Sequence, residues 1–252
     1  MTFAVAAEAY DRYIGRYSRA LAPRFLEFAG VTSGPVLEVG CGPGSLTAVL
    51  AARFGAVNVA AVDPSESFVA ACRERVPGAD VRVGSGESLP FVDGAFEGAL
   101  SQLVLSFVRE PDQLTAELSR VVRRDGMVAA CTFEANGFAL VRTFWDAALR
   151  LDPKAPDDAS IPFRREAELL ALWNRAGFRE VRTGVIDVET RYADFEDFWS
   201  PFAFGIGPAG SYLLAQPADR RAALRDACFL RLAKPAGPFS LPARVLAIRG
   251  RV

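Results

Sequence analysis

From about residue 34 to residue 133 the chain alternates short apolar runs with amphipathic stretches. Val36, Leu37 and Val39 make a short apolar run, the pattern of a strand buried on both faces. Residues 45–54 follow, with Leu46, Val49 and Leu50 on one side of a helix. Residues 57–62 repeat the strand pattern, and Pro64 and Ser65 lead into a helix that Val76, Pro77 and Gly78 stop near Arg75. Residues 79–83, 97–105 and 127–133 predict three further strands. Pro111 opens a helix with Leu114, Leu118, Val121 and Val122 on its apolar face. This repeated strand–helix order predicts an α/β fold, a doubly wound and mostly parallel sheet covered by helices.

The flanks are looser. Tyr10, Tyr13, Ile14 and Tyr17, then Leu21, Phe25 and Phe28, recur at helical spacing over residues 8–30. After Thr132 come an aromatic helix over 138–151, a polar loop over 152–162 and a helix over 165–176. A sixth strand lies within 178–192, a helix over 218–233 and a last strand over 243–248. Residues 1–252 read as a single domain, with a core at 34–133 and a decorated region at 134–240 whose insertions form a cap. Residues 195–214 hold Phe195, Phe198, Trp199, Phe202, Phe204 and Tyr212, interrupted by Gly205, Gly207, Pro208 and Gly210. They suit a mobile wall around an apolar ligand and an ordinary secondary core equally well.

Composition narrows the function classes. Apolar residues make up 51% of the 252, enough for a sizeable core. The net charge of −1 gives no general attraction to nucleic acid, and Arg120, Arg123 and Arg124 read as a solvated helix face. The chain has no histidine and four dispersed cysteines, which argues against a zinc site or a disulfide scaffold. No apolar run approaches the roughly 18 residues of a membrane span. The first ten residues lack the pattern of a signal peptide. A cytoplasmic protein without membrane or nucleic-acid partners, monomeric or homodimeric, is the expectation.

Candidate chemistry concentrates after the first strand. Gly40, Gly42 and Gly44 permit a tight turn and close backbone approach to a ligand. The third glycine comes one position earlier than in the dinucleotide fingerprint, with Ser45 in its place. Glu38 would repel a pyrophosphate set beside it. The turn therefore reads as a site for a positively charged nucleoside cofactor without phosphates. Asp63 ends the second strand 23 residues after Gly40, near the spacing at which an acid reaches ribose hydroxyls.

Glu38 with Gly40-Cys41-Gly42-Pro43-Gly44 resembles the first motif of class I S-adenosylmethionine-dependent methyltransferases, of the methyltransferase type 11-like small-molecule group. The stretch from Gly84 to Phe96 resembles that family's Gly-Asp-Ala-Glu-x-Leu-Pro-Phe loop, with Ser85 in place of the acid and Gly86 in place of alanine. The resemblance implies a Rossmann-like seven-stranded sheet with an antiparallel last strand. It also implies S-adenosyl-L-methionine as cofactor and methyl transfer to a small-molecule substrate. It places Glu38, Gly40, Gly42, Asp63, Pro64, Ser85, Gly86, Glu87 and Gln102 around the donor. Tyr10, Tyr17 and Arg16 become candidates for an aromatic and a basic contact from the N-terminal segment, Tyr17 being preferred. Glu87 fits ligand contact and loop holding equally. Phe68 is a candidate for the floor under the adenine, and Gln102 and Leu103 for neighbours of the methionyl part. No metal is required, and the residues name no catalytic base. The alternatives are a donor-binding module without turnover and an NAD-type oxidoreductase.

Overall fold

The computed structural model describes residues 7–157 and 161–252. Residues 1–6 of the opening decapeptide, and 158–160 within the expected polar loop, lie outside the described residues. Seven strands form one sheet: β1 (Val36–Val39), β2 (Val59–Asp63), β3 (Asp80–Val83), β4 (Phe96–Gln102), β5 (Val122–Phe138), β6 (Arg179–Tyr192) and β7 (Phe239–Arg251). Their order is β3-β2-β1-β4-β5-β7-β6. The first five pair in parallel, and β7 runs antiparallel to both β5 and β6. This is the Rossmann-like arrangement expected of the sequence.

The apolar run of β1 feeds both faces of the sheet, as a central parallel strand must. Val36 joins a core with α2 (Gly15–Ala29), α3 (Ser45–Phe54), α6 (Ala139–Leu151) and α10 (Ala218–Arg231). Leu37 and Val39 join the opposite core, under α5 (Pro111–Val121) and α7 (Glu166–Arg175). A third cluster packs α4 (Glu66–Arg75) on Ala61 and Val81. The N-terminal segment is two helices, α1 (Ala7–Arg12) and α2, with a turn at Tyr13 and Ile14.

Several boundaries differ from the sequence pattern. Residues 56–58 form a short 3-10 turn, so β2 starts two residues later than expected. β4 ends at Gln102, and Leu103 takes φ 62° before a 3-10 turn at Leu105–Phe107. Asp125 lies near the start of β5, before its central part. It adopts φ 63°, with its N–H on the Val252 carbonyl and its carboxylate on Arg179. Aspartate is among the few side chains that tolerate this region.

The 195–214 stretch forms α8 (Phe195–Trp199), a 3-10 turn at Ser200–Phe204 and α9 (Gly207–Ala215). Most of its rings are core: Phe195, Phe198, Trp199 and Phe202 are buried, and Phe202 stacks on Phe144 with centroids 4.8 Å apart. Arg120 is not a solvated face residue. It donates to Glu117, Asp93 and the carbonyls of Leu89 and Phe91, fastening the loop before β4 to α5.

Because β2 and β4 leave β1 in opposite directions, a crevice opens at the carboxyl end of β1. The glycine turn sits there, pinned by Gly44. A Cβ on Gly44 would fall 2.8 Å from Cys72 Sγ on α4, at φ 90°. Gly44→Ala is expected to lower unfolding free energy by about 1–3 kcal/mol, read as a fall in the denaturant midpoint. An unchanged midpoint would mean that α4 yields without cost.

Candidate functional site

The glycine turn is held by β2. Gly40 and Cys41 donate their N–H groups to the Val62 carbonyl at 2.8 and 3.0 Å. Asp63, at the end of β2, is 7% exposed and bridges two segments. Its Oδ2 accepts from the Gly42 N–H and its Oδ1 from the Ser65 N–H, both at 2.9 Å. Burial raises the Asp63 pKa, and the Ser65 and Gly42 N–H groups work against that rise. A carboxylate has about four lone-pair positions, so two bonds leave acceptor capacity for ligand hydroxyls.

Glu38 lies beneath the turn, 2% exposed, and accepts from the Thr47 hydroxyl on α3. Burial drives its pKa well above the ordinary carboxylate range, against the Thr47 bond. Gly42, at φ 51°, leaves room on the ligand side: an added Cβ would meet only Tyr10 Cε1, at 3.9 Å. Gln102 ends β4. Its Nε2 donates to the Ser18 carbonyl at 3.2 Å, while its buried Oε1 has no partner.

These groups border a cleft of about 450 Å³ that Gly40, Gly42, Asp63, Pro64, Ser85, Gly86, Glu87 and Gln102 all line. Glu38 lies next to it, on a small pocket shared with Gln102 and Gly42. Phe68 also lines the cleft.

Two members of the 84–96 loop serve the loop itself. Glu87 accepts from the Arg109 and Glu110 N–H groups, both at 3.0 Å, and these bonds hold its pKa below the ordinary value. Ser85 Oγ donates to Glu87 at 3.1 Å and accepts from the Glu87 N–H at 3.2 Å. Gly86 is close-packed, since a Cβ there would lie 2.8 Å from both Val39 and Leu114.

Tyr17 is not brought to the cleft. It is fully buried, with its hydroxyl 3.1 Å from that of Tyr192 and 3.4 Å from the Leu241 carbonyl. Arg16 is engaged by Asp197 and lies over the Tyr192 ring. The N-terminal aromatics at the cleft are Tyr10 and Tyr13, and the Tyr10 ring centroid is 5.2 Å from that of Phe68. Burial pushes the Tyr10 phenol up to about 12, so it stays neutral at physiological pH.

The cleft continues past these groups into a second half. β5 supplies Thr132, Phe133 and Phe138, while α6 supplies Val141 and Trp145. Arg164 lies beside them, anchored on the carbonyls of Phe133 and Glu134. Ile206, Gly207, Pro208 and Ala209 close the wall. Sequence reading offered residues 195–214 as a wall around an apolar ligand but did not single out Phe133, Phe138, Val141, Trp145 or Arg164 as site residues. Arg164 follows Ile161, Pro162 and Phe163, and a charge at the end of an apolar tripeptide was the available signal. Among the described residues no cluster of three or more acids and cysteines could hold a metal. No described helix is long and apolar enough to cross a membrane.

A family profile described as a methyltransferase domain matches residues 37–130. A malonyl-[acyl-carrier protein] O-methyltransferase of Geobacter sulfurreducens is 32% identical over 178 residues, 68% of this chain and 66% of that protein. A demethylmenaquinone methyltransferase of Clavibacter sepedonicus is 28% identical over 226 residues, 80% of this chain and 82% of that protein. The solved structure of a putative type II methyltransferase from Anaeromyxobacter dehalogenans superposes with a TM-score of 0.65 at 22% identity, covering 92% and 95% of the two chains. Across four curated relatives the chain spans between 28% and 66% of the relative's own length.

The raised pKa of Glu38 has a signed consequence. The folded chain holds this proton more tightly than the unfolded one. The contribution of Glu38 is therefore full below the unfolded pKa and declines as pH rises toward the folded value. As pH rises above the ordinary glutamate pKa of about 4.3, the wild type is expected to lose stability relative to Glu38→Gln. Equal slopes in denaturant titrations of the two proteins would refute this protonation state.

Proposed function

We propose that this chain, which belongs to the class I S-adenosylmethionine-dependent methyltransferase fold, transfers the donor's methyl group to a small organic acceptor. The observation that carries the reading is Asp63, fixed by two backbone N–H groups at a cleft that runs from the glycine turn into an apolar second half.

The residues present fit the donor. Asp63 has acceptor capacity for ribose hydroxyls, Gly42 leaves an open cradle, and Gln102 Oε1 is an acceptor in want of a donor such as an ammonium. Glu38 and Asp63 suit a cation, since a positive charge nearby favours their ionised forms. Glu38 could not ionise beside a pyrophosphate, which weighs against the oxidoreductase alternative.

S-adenosylmethionine supplies a methyl group on a sulfonium, already activated for transfer. The chain's own task is to align the partners and keep water out. Ile206, Pro208, Phe138 and Trp145 form an apolar wall suited to that exclusion. Two relatives are named as methyltransferases of malonyl-[acyl-carrier protein] and of demethylmenaquinone, and an organic acceptor is proposed here in keeping with those names. The net charge of −1 supports a partner other than nucleic acid. The four cysteines, all free and buried, are in keeping with a cytoplasmic site of action. A monomer or homodimer completes the reading.

Asp63→Ala is expected to weaken donor binding by about 1.5–3 kcal/mol, roughly 10- to 150-fold. Calorimetry with S-adenosylmethionine and its demethylated product measures this, with NADH as the comparison. Tight NADH binding without donor binding would overturn the reading. Donor binding without turnover on any acceptor would favour a binding module instead.

A further inference from the structure

The second half of the cleft constrains the acceptor's reacting group. The titratable or charged side chains among the described residues that line the cleft are Tyr10, Tyr13, Asp63, Glu87, Arg109 and Arg164. Asp63 and Glu87 are the carboxylates, and each already accepts two backbone N–H bonds at the donor end. Tyr10 stays neutral, and the chain contains no histidine. The described lining of the second half therefore offers no group that takes a proton at neutral pH.

What it does offer are donors. Ser106 and Thr132 stand at the carboxyl-terminal side of β4 and on β5, with their hydroxyls 2.8 Å apart. One hydroxyl proton is used between the two oxygens. The other remains free to point to a ligand acceptor. Arg164 lines the same half, its guanidinium donating to the carbonyls of Phe133 and Glu134. Around them lie Phe133, Phe138, Val141, Trp145 and Ile206.

Resting on the methyltransferase reading, we propose that the acceptor is an apolar molecule carrying a carboxylate. Its ionised oxygen is held by the Ser106–Thr132 hydroxyl pair and alkylated without a general base. The step balances without proton transfer. A carboxylate oxygen forms the new bond to the methyl carbon, the carbon–sulfur bond breaks with its electron pair going to sulfur, and a neutral methyl ester leaves. An alcohol or a protonated amine would have to lose a proton, and the described lining provides no taker for it.

The test uses the full chain with phenylacetate, cinnamate and octanoate, each beside its amide, alcohol and amine. Calorimetry reads acceptor binding, and mass detection reads methyl gain. The expected result is binding and esterification of at least one carboxylate, and weaker binding of its amide by about tenfold. Turnover should be nearly level between about pH 6 and about pH 9, because these carboxylates are ionised throughout. Thr132→Val should lower carboxylate affinity and kcat/KM about tenfold while leaving donor affinity unchanged. Ser106→Ala, at the more exposed partner, gives the same readout if the first variant does not fold. Donor binding with preferential methylation of alcohols or amines overturns the proposal. So does a rate that climbs steadily with pH, or the absence of any carboxylate ester. Loss of donor binding itself would instead mark failure of the methyltransferase reading.

Discussion

The bond from the Gly42 N–H to the Asp63 carboxylate is the interaction on which the site depends. It ties the turn after β1 to the end of β2. The other oxygen of the same carboxylate holds the Ser65 N–H at the entry to α4. One side chain thereby fixes three backbone segments around the mouth of the crevice. Bonds from a charged group are individually worth about 1.5–3 kcal/mol, more than most neutral ones. They also orient the carboxylate before any ligand arrives, which lowers the ordering cost of binding.

This arrangement carries an electrostatic tension. Asp63 and Glu38 are both buried near the turn, and burial raises both pKa values. Each acid is partly compensated by hydrogen bonds, and the turn itself carries no cationic side chain. A cationic ligand relieves the tension, because its charge favours ionisation of both acids. A phosphate-bearing ligand would worsen it. The same residues thus provide hydrogen-bond geometry and a preference for the sign of charge.

The half of the cleft at the glycine turn was legible in the sequence because its parts are local. Strand, glycine turn and helix lie within residues 36–54, and Asp63 ends the next strand. Periodicity fails where geometry depends on a break. Tyr10 and Tyr17 share one helical pattern, but the turn at Tyr13 and Ile14 sends Tyr10 to the cleft and Tyr17 into the core. The roles of Ser85, Glu87 and Arg120 as loop fasteners rest on bonds to backbone groups, which composition does not reveal. The pairing of Ser106 with Thr132 spans 26 positions and arises only when β4 and β5 align.

The acceptor half was hidden for a related reason. Its walls come from β5 and α6, which are consecutive in the chain, and from Arg164 and the residues that open α9, and only the fold turns their side chains onto one surface. The aromatic residues that suggested a mobile wall are mostly buried behind it. Phe144 stacks on Phe202, and Phe202 packs edge-on to Tyr13, which itself lines the cleft. Close-packed cores yield little to a change of even one methylene. A wall backed by such packing keeps its shape, so acceptor choice rests on the fit of a preformed apolar surface as well as on the hydroxyl pair. The aromatic stretch mostly lies behind the surface, while Ile206 and Pro208 line the cleft.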